Sequence, residues 1–271
     1  QQSMDVHWRF SGATSEDVIS IHPEHAFQEI VGFGGAFTDA SCYMFDQLSK
    51  TARAELFSDL FQPSKSGESG KSGGLGLNFC RVCIGASDYA THLYSYDEGE
   101  PDPKLERFSI DHDKKYILPC LREAFALNPQ LLFYGSTWSP PGWMKSNGSM
   151  LGGSFQRKYF SSYAQYFVKF IEGYQQEGIS IHAVTVQNEV DTDQDGKMPA
   201  CSWPQEYEVD FVSYHLGPLF ESKGLKTKIW IIDHNYNLWG RALASLDTPA
   251  LVKHASGIAW HGYVGDARRI G

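Results

Sequence analysis

Apolar and polar positions follow two periods along this chain. Short apolar runs alternate with longer segments whose apolar residues recur every three or four positions. The runs at 77–84, 130–134, 179–189, 228–232 and 257–260 read as buried β-strands. A further strand is predicted over 29–39, running into a glycine-rich turn at Gly32, Gly34 and Gly35. Helical spacing predicts helices over about 49–61, 111–127, 154–176 and 204–223. Pro119 should bend the second of these. Tyr163, Phe167, Phe170 and Tyr174 give the third an apolar stripe for a core. Ser202 is a candidate cap for the fourth, with Pro204 near its first turn. The polar, glycine-rich stretch 63–74 reads as an exposed loop.

Strand and helix thus alternate six times, which implies parallel strands joined by crossover helices. A doubly wound sheet and a TIM barrel both satisfy that pattern. The strand ends discriminate, because each carries polar or aromatic residues: Thr38-Asp39, Ser87-Asp88, Thr137-Trp138, Asn188-Glu189, Asp233-His234, and His261 with Tyr263. A barrel builds its site from many strand ends at once, whereas a doubly wound sheet concentrates it at one switch point. The expected fold is therefore an α/β TIM (β/α)8 barrel, of which strands one to six lie in 29–271 and strands seven and eight do not. Residues 1–28 alternate weakly (Val6, Trp8, Phe10, Val18, Ile19, Ile21) and should pair with a sheet elsewhere.

Composition narrows the function. A formal charge of −9 without a basic cluster argues against nucleic-acid binding. No apolar run approaches the ~18 residues of a membrane span. The chain starts at Gln1 without a visible leader, which suggests a processed or trimmed product, secreted and periplasmic locations being compatible. Five scattered cysteines do not form a disulfide framework, and Cys80 and Cys83 lie on opposite faces of one strand. The glycine run 32–35 lacks the Lys or the full pattern of a phosphate loop. No metal or cofactor is expected from ligand spacing.

Carboxylates, amides, His and Trp gathered at strand ends suit carbohydrate chemistry. Carboxylates fork hydrogen bonds to vicinal hydroxyls, and indole faces stack on sugars. Glycoside cleavage needs two carboxylates, one donating a proton and the other attacking or activating water. Glu189, at the end of the fourth strand, is the candidate proton donor, with Asn188 beside it.

Five segments taken together resemble glycoside hydrolase family 30, on its glucosylceramidase-like side. They are Gly32-Phe33-Gly34-Gly35-Ala36-Phe37-Thr38-Asp39-Ala40, Asn78-Phe79-Cys80-Arg81-Val82, Trp138-Ser139-Pro140-Pro141-Gly142-Trp143-Met144-Lys145-Ser146-Asn147-Gly148, Val184-Thr185-Val186-Gln187-Asn188-Glu189 and Gly257-Ile258-Ala259-Trp260-His261-Gly262-Tyr263. The resemblance implies a retaining β-glycosidase acting on terminal β-linked sugars, with an attached β-sandwich to which residues 1–28 would belong. It makes Glu189 the general acid/base and Asn188 the residue for the sugar 2-hydroxyl. Asp88 and Trp138 become contacts to the far hydroxyls, and His261 and Tyr263 a pair near the nucleophile. Arg81 becomes an ordering residue for the carboxylates. Asp233 is a candidate supporting residue, and Asp39 a support of the barrel interior. The nucleophile Glu is expected on strand seven, beyond Gly271. The implied partners are a small or oligomeric β-glycoside and the remainder of the same protein.

The loop 190–199, from Val190 to Pro199, departs from glucosylceramidase, where Pro follows the Glu, so ceramide is not the obvious aglycone. β-Xylosidase, β-fucosidase and β-1,6-glucanase activities fit the same residues. A truncated barrel that binds sugar without chemistry is the competing class.

Overall fold

A computed structural model of the protein describes residues 22–64 and 73–270. The chain divides into two compact units, Gln1–Val31 and Gly32–Gly271. In the first, residues 22–31 form turns and irregular chain without a strand. The strands anticipated before residue 22, and the middle of the polar loop 63–74, lie outside the described residues.

The second unit contains one parallel sheet of six strands in the order β1-β2-β3-β4-β5-β6. The strands are β1 (Ala36–Phe37), β2 (Phe79–Cys83), β3 (Leu132–Ser136), β4 (Ile181–Thr185), β5 (Lys228–Asn235) and β6 (Ala255–His261). The helices between them are α1 (Asp39–Asp46), α2 (Lys50–Phe61), α3 (Ile117–Leu127), α4 (Phe160–Gln176), α5 (Gln205–Phe211), α6 (Gly217–Lys223), α7 (Trp239–Leu246) and α8 (Pro249–Val252). A doubly wound sheet would reverse its strand order at a switch point. This sheet runs in sequence order throughout, as a barrel does, and remains open between β1 and β6.

Several boundaries differ from the sequence reading. β1 is confined to Ala36–Phe37, although Phe33 and Gly35 accept backbone hydrogen bonds from Asn78, Phe79 and Arg81 at 2.9–3.1 Å. Gly34 explains the close approach, since a Cβ there would stand 1.9 Å from the Phe79 carbonyl oxygen. Asp39 does not end a strand but opens α1, which the sequence reading missed; the Thr38 hydroxyl caps it by accepting from the Ser41 N–H. Helix α3 begins at Ile117 rather than 111, so Pro119 sits in its first turn, where its missing N–H is not needed and it bends nothing. Helix α5 is preceded by Pro204 rather than capped by Ser202, and a π-helical stretch at Val212–Leu216 separates it from α6.

The core lies between the sheet and these helices. Tyr163, Phe167, Phe170 and Tyr174 on α4 are all fully buried, as their spacing predicted. Each such aromatic removes ~150–250 Å2 from water, or roughly 4–6 kcal/mol of transfer free energy. All five cysteines are buried and free. Among the described residues, no helix is long and apolar enough to cross a membrane.

Candidate active site

The site is organised by an irregularity in β5. Its pairing with β6 shifts register between Ile232 and His234, and Ile232 and Asp233 take φ of 75° and 46°. Such a bulge re-aims side chains that regular alternation would place elsewhere. The left-handed region is sparsely used by any side chain, least of all a β-branched one. Two contacts hold the bend. The buried Glu208 of α5 accepts the Ile232 N–H at 2.8 Å, and the Glu189 N–H donates to the Asp233 carbonyl at 2.9 Å. Arg241 of α7 donates to the other oxygen of Glu208 at 3.0 Å, so this buried carboxylate is also charge-paired.

The bulge turns the Asp233 carboxylate into the strand ends. Its Oδ2 accepts from Arg81 (3.0 Å), the Ser136 hydroxyl (2.5 Å) and the Thr185 hydroxyl (2.6 Å); its Oδ1 accepts from His261 Nε2 (2.9 Å). Burial alone would raise its pKa. The Arg81 charge and the His261 hydrogen bond outweigh burial and hold it well below the usual carboxylate range. The same Arg81 donates to Asn188 Oδ1 at 2.7 Å, fixing which way that amide points. Its guanidinium carbon lies 4.2 Å from the Trp138 ring centroid, a cation–π contact worth ~1–2 kcal/mol away from water.

Glu189 follows β4 with a φ of 57°. Its Oε2 accepts from the Gln194 amide, and its Oε1 faces His261 Nδ1 at 3.3 Å and His234 Nδ1 at 3.9 Å. The His261 hydrogen bond keeps the carboxyl below its ordinary pKa, against burial and with help from the neighbouring histidine charges. Burial would pull His261 down, yet its bonds to Asp233 and Glu189 push it up to about 9. His261 is therefore an imidazolium at neutral pH, held between two carboxylates.

Arg81, Trp138, Asn188, Glu189, Asp233 and His261 are thus drawn into one contact network by the ends of β2 to β6. Tyr263 stands beside it, its ring edge-on to His261 at 6.1 Å, but 84% exposed. Asp88 is exposed and lines a pocket of about 290 Å3 with residues that include Ser87, His92, Leu151, Lys197 and Pro199. Asp39 is buried in a different cluster, accepting from the Thr91 N–H, His112 and Tyr116. The sequence reading assigned no role to His234, Asp191 or Glu208. His234 sits at the bulge, its Nε2 2.7 Å from an Asp191 carboxylate oxygen. The only sequence signal for it was its place next to Asp233 at a strand end.

A family model described as the glycosyl hydrolase family 30 TIM-barrel domain matches residues 30–269. An endo-1,6-beta-D-glucanase of Neurospora crassa is 33% identical over 267 residues, covering 93% of this chain and 52% of that protein. The lysosomal acid glucosylceramidase of Mus musculus is 29% identical over 257 residues, covering 91% of this chain and 48% of that protein. Among solved structures, an endo-beta1,6-glucanase aligns with a TM-score of 0.83 and 30% identity, covering 92% of this chain and 55% of that one. The chain spans about half the length of the curated relatives it matches.

Proposed function

The chain belongs to glycosyl hydrolase family 30, and from that premise we propose that it carries the acid/base half of a retaining β-glycosidase acting on β-linked glucose. The observation that supports this most is the setting of Glu189. That residue lies four residues beyond the end of β4, where its carboxyl shares a hydrogen bond with a cationic His261 and follows an Asn188 whose amide is oriented by Arg81. A general acid must hold a proton and release it toward the leaving oxygen. His261 supplies a proton within reach of Oε1. A second carboxylate facing Glu189 across the sugar would favour the protonated acid, as paired carboxylates do. Asn188, with its oxygen engaged by Arg81, turns its NH2 group to the substrate as a hydroxyl-binding donor.

Glucose as the sugar rests on the names of the two relatives, a glucosylceramidase and a 1,6-glucanase, both of which concern glucosyl linkages. The loop after Glu189 supports a glucan-type over a ceramide aglycone. Gln194 and Asp191 fold back onto Glu189 and His234, so this segment forms a polar wall beside the acid.

Leaving-group dependence tests the acid. Glu189→Gln in the full-length protein should slow cleavage of poor leaving groups by roughly 10²–10⁴. Glycosylation by an activated aryl β-glucoside should fall far less. Equal losses for both substrates would remove Glu189 from the acid role.

A further inference from the structure

We propose that Glu189, His234 and His261 form a binding site for one divalent transition-metal ion of the Zn2+ type, set directly across the proton-carrying oxygen of Glu189. The site goes beyond the glycosidase reading and does not depend on it.

One ligand atom from each of the three residues can be chosen so that all lie within 4.8 Å of one another. Glu189 Oε1 is 3.3 Å from His261 Nδ1 and 3.9 Å from His234 Nδ1. A tetrahedral ion with bonds of ~2.0–2.1 Å separates its ligand atoms by about 3.3 Å, which the Glu189–His261 pair already meets, and His234 must move in toward Glu189 by about half an ångström.

The outer ends of both imidazoles are already fixed. His261 Nε2 bonds Asp233 at 2.9 Å, and His234 Nε2 stands 2.7 Å from an Asp191 carboxylate oxygen. A metal-bound histidine characteristically donates its other N–H to a carboxylate, which sets the tautomer and strengthens the ligand. Here two carboxylate–histidine pairs converge from adjacent strands on one point, with both Nδ1 atoms turned toward Glu189.

His234 supplies the independent observation. It is only 8% exposed, and its Nδ1 is buried without a hydrogen-bond partner. A buried nitrogen left unpaired is unfavourable. An ion between it and Glu189 would use that lone pair. Two imidazoles and one carboxylate suit Zn2+, Cu2+ or Ni2+ and do not suit Mg2+ or Ca2+, which prefer oxygen. On binding, the ion replaces the proton between His261 Nδ1 and Glu189 Oε1, and that proton passes to solvent. An occupied site leaves Glu189 with a metal where its transferable proton would be.

Calorimetric titration of ZnCl2 into the full-length protein, without substrate, tests the site. One saturating equivalent is expected, with no comparable heat from MgCl2. His234→Gln should weaken binding at least ~10-fold, and Asp191→Asn by ~10–100-fold, the usual effect of removing an outer-shell carboxylate. Absence of saturable Zn2+ binding, or binding that these variants leave unchanged, overturns the proposal. Circular dichroism checks that His234→Gln folds. If it does not, Asp191→Asn decides, because that side chain is 40% exposed. A protein that binds one Zn2+ at these residues but cleaves no β-glucoside would defeat the catalytic reading and leave this one standing.

Discussion

Asp233 stays ionised in a buried setting because four donors converge on its carboxylate. Arg81 and His261 bring positive charge to it, and Ser136 and Thr185 bring hydroxyls. Hydrogen bonds to a charged group contribute about 1.5–3 kcal/mol each, so the network outweighs the burial that opposes it. Removing one partner of a buried pair costs more than the pair contributes, since the survivors keep their charge without an answer to it. Asp233→Ala is therefore expected to destabilise the protein by roughly 3–5 kcal/mol, read as a lowered urea midpoint at unchanged slope. A loss below ~1 kcal/mol would show that Arg81 and His261 find water instead. This residue was visible in the sequence only as a candidate support. Its four partners are scattered from Arg81 to His261, so no local spacing announces them. Asn188 and Glu189 were legible because a polar pair closing a buried apolar run is a local pattern.

At the scale of elements, the bulge in β5 depends on two helices, α5 and α7. Glu208 on α5 accepts the N–H that the bulge at Ile232 would otherwise leave buried and unpaired, and Arg241 on α7 balances its charge. Glu208→Ala is expected to destabilise by roughly 3–5 kcal/mol and to speed amide exchange at Ile232 beyond that at Ile229. Uniform acceleration along β5 would argue against a local role. Lys145 plays a similar part for the loops. Buried after β3, it donates to the Ser139 hydroxyl and to the carbonyls of Met150 and Ala200, pinning the segment after β3 to the segment after β4. Burial pulls its pKa from 10.5 down to about 8. Between those values the unfolded chain binds more protons than the folded one, so this group's contribution to stability rises with pH. Relative to Lys145→Met, the wild type should gain roughly 2–3 kcal/mol between about pH 8 and 10, measured as the difference between two denaturation series; a flat difference would contradict the shift. The strands themselves were readable because the strands of parallel sheets tend toward continuous apolar runs. What escaped were β1, shortened where glycines carry the chain past β2, and the bulge, which places an isoleucine in a conformation its propensity disfavours. A buried Glu208 was equally hidden, since carboxylates sit outside by default.

At the scale of the whole molecule, the sheet and the site are one assembly. The side chains around Asp233 come from β2, β3, β4 and β6, so strands in register bring the network together without any loop having to close. A two-carboxylate reaction needs a partner ~5–5.5 Å from the acid. Among the described residues, Asp233 is committed to its four donors and Asp191 to His234. Trapping the full-length protein with a 2-deoxy-2-fluoro glucosyl fluoride should therefore label a carboxylate that none of these six strands carries. Peptide mapping that finds the label on Asp39, Asp88 or Asp233 would reverse that assignment. The pocket beside Asp88 is built differently from the network. Leu151, Lys197, Met198 and Pro199 all come from segments outside the strands. Changes there would leave the strand-borne donors to Asp233 in place. Over generations, a lineage with this arrangement can change what its loops meet while inheriting the charged strand-end network unaltered.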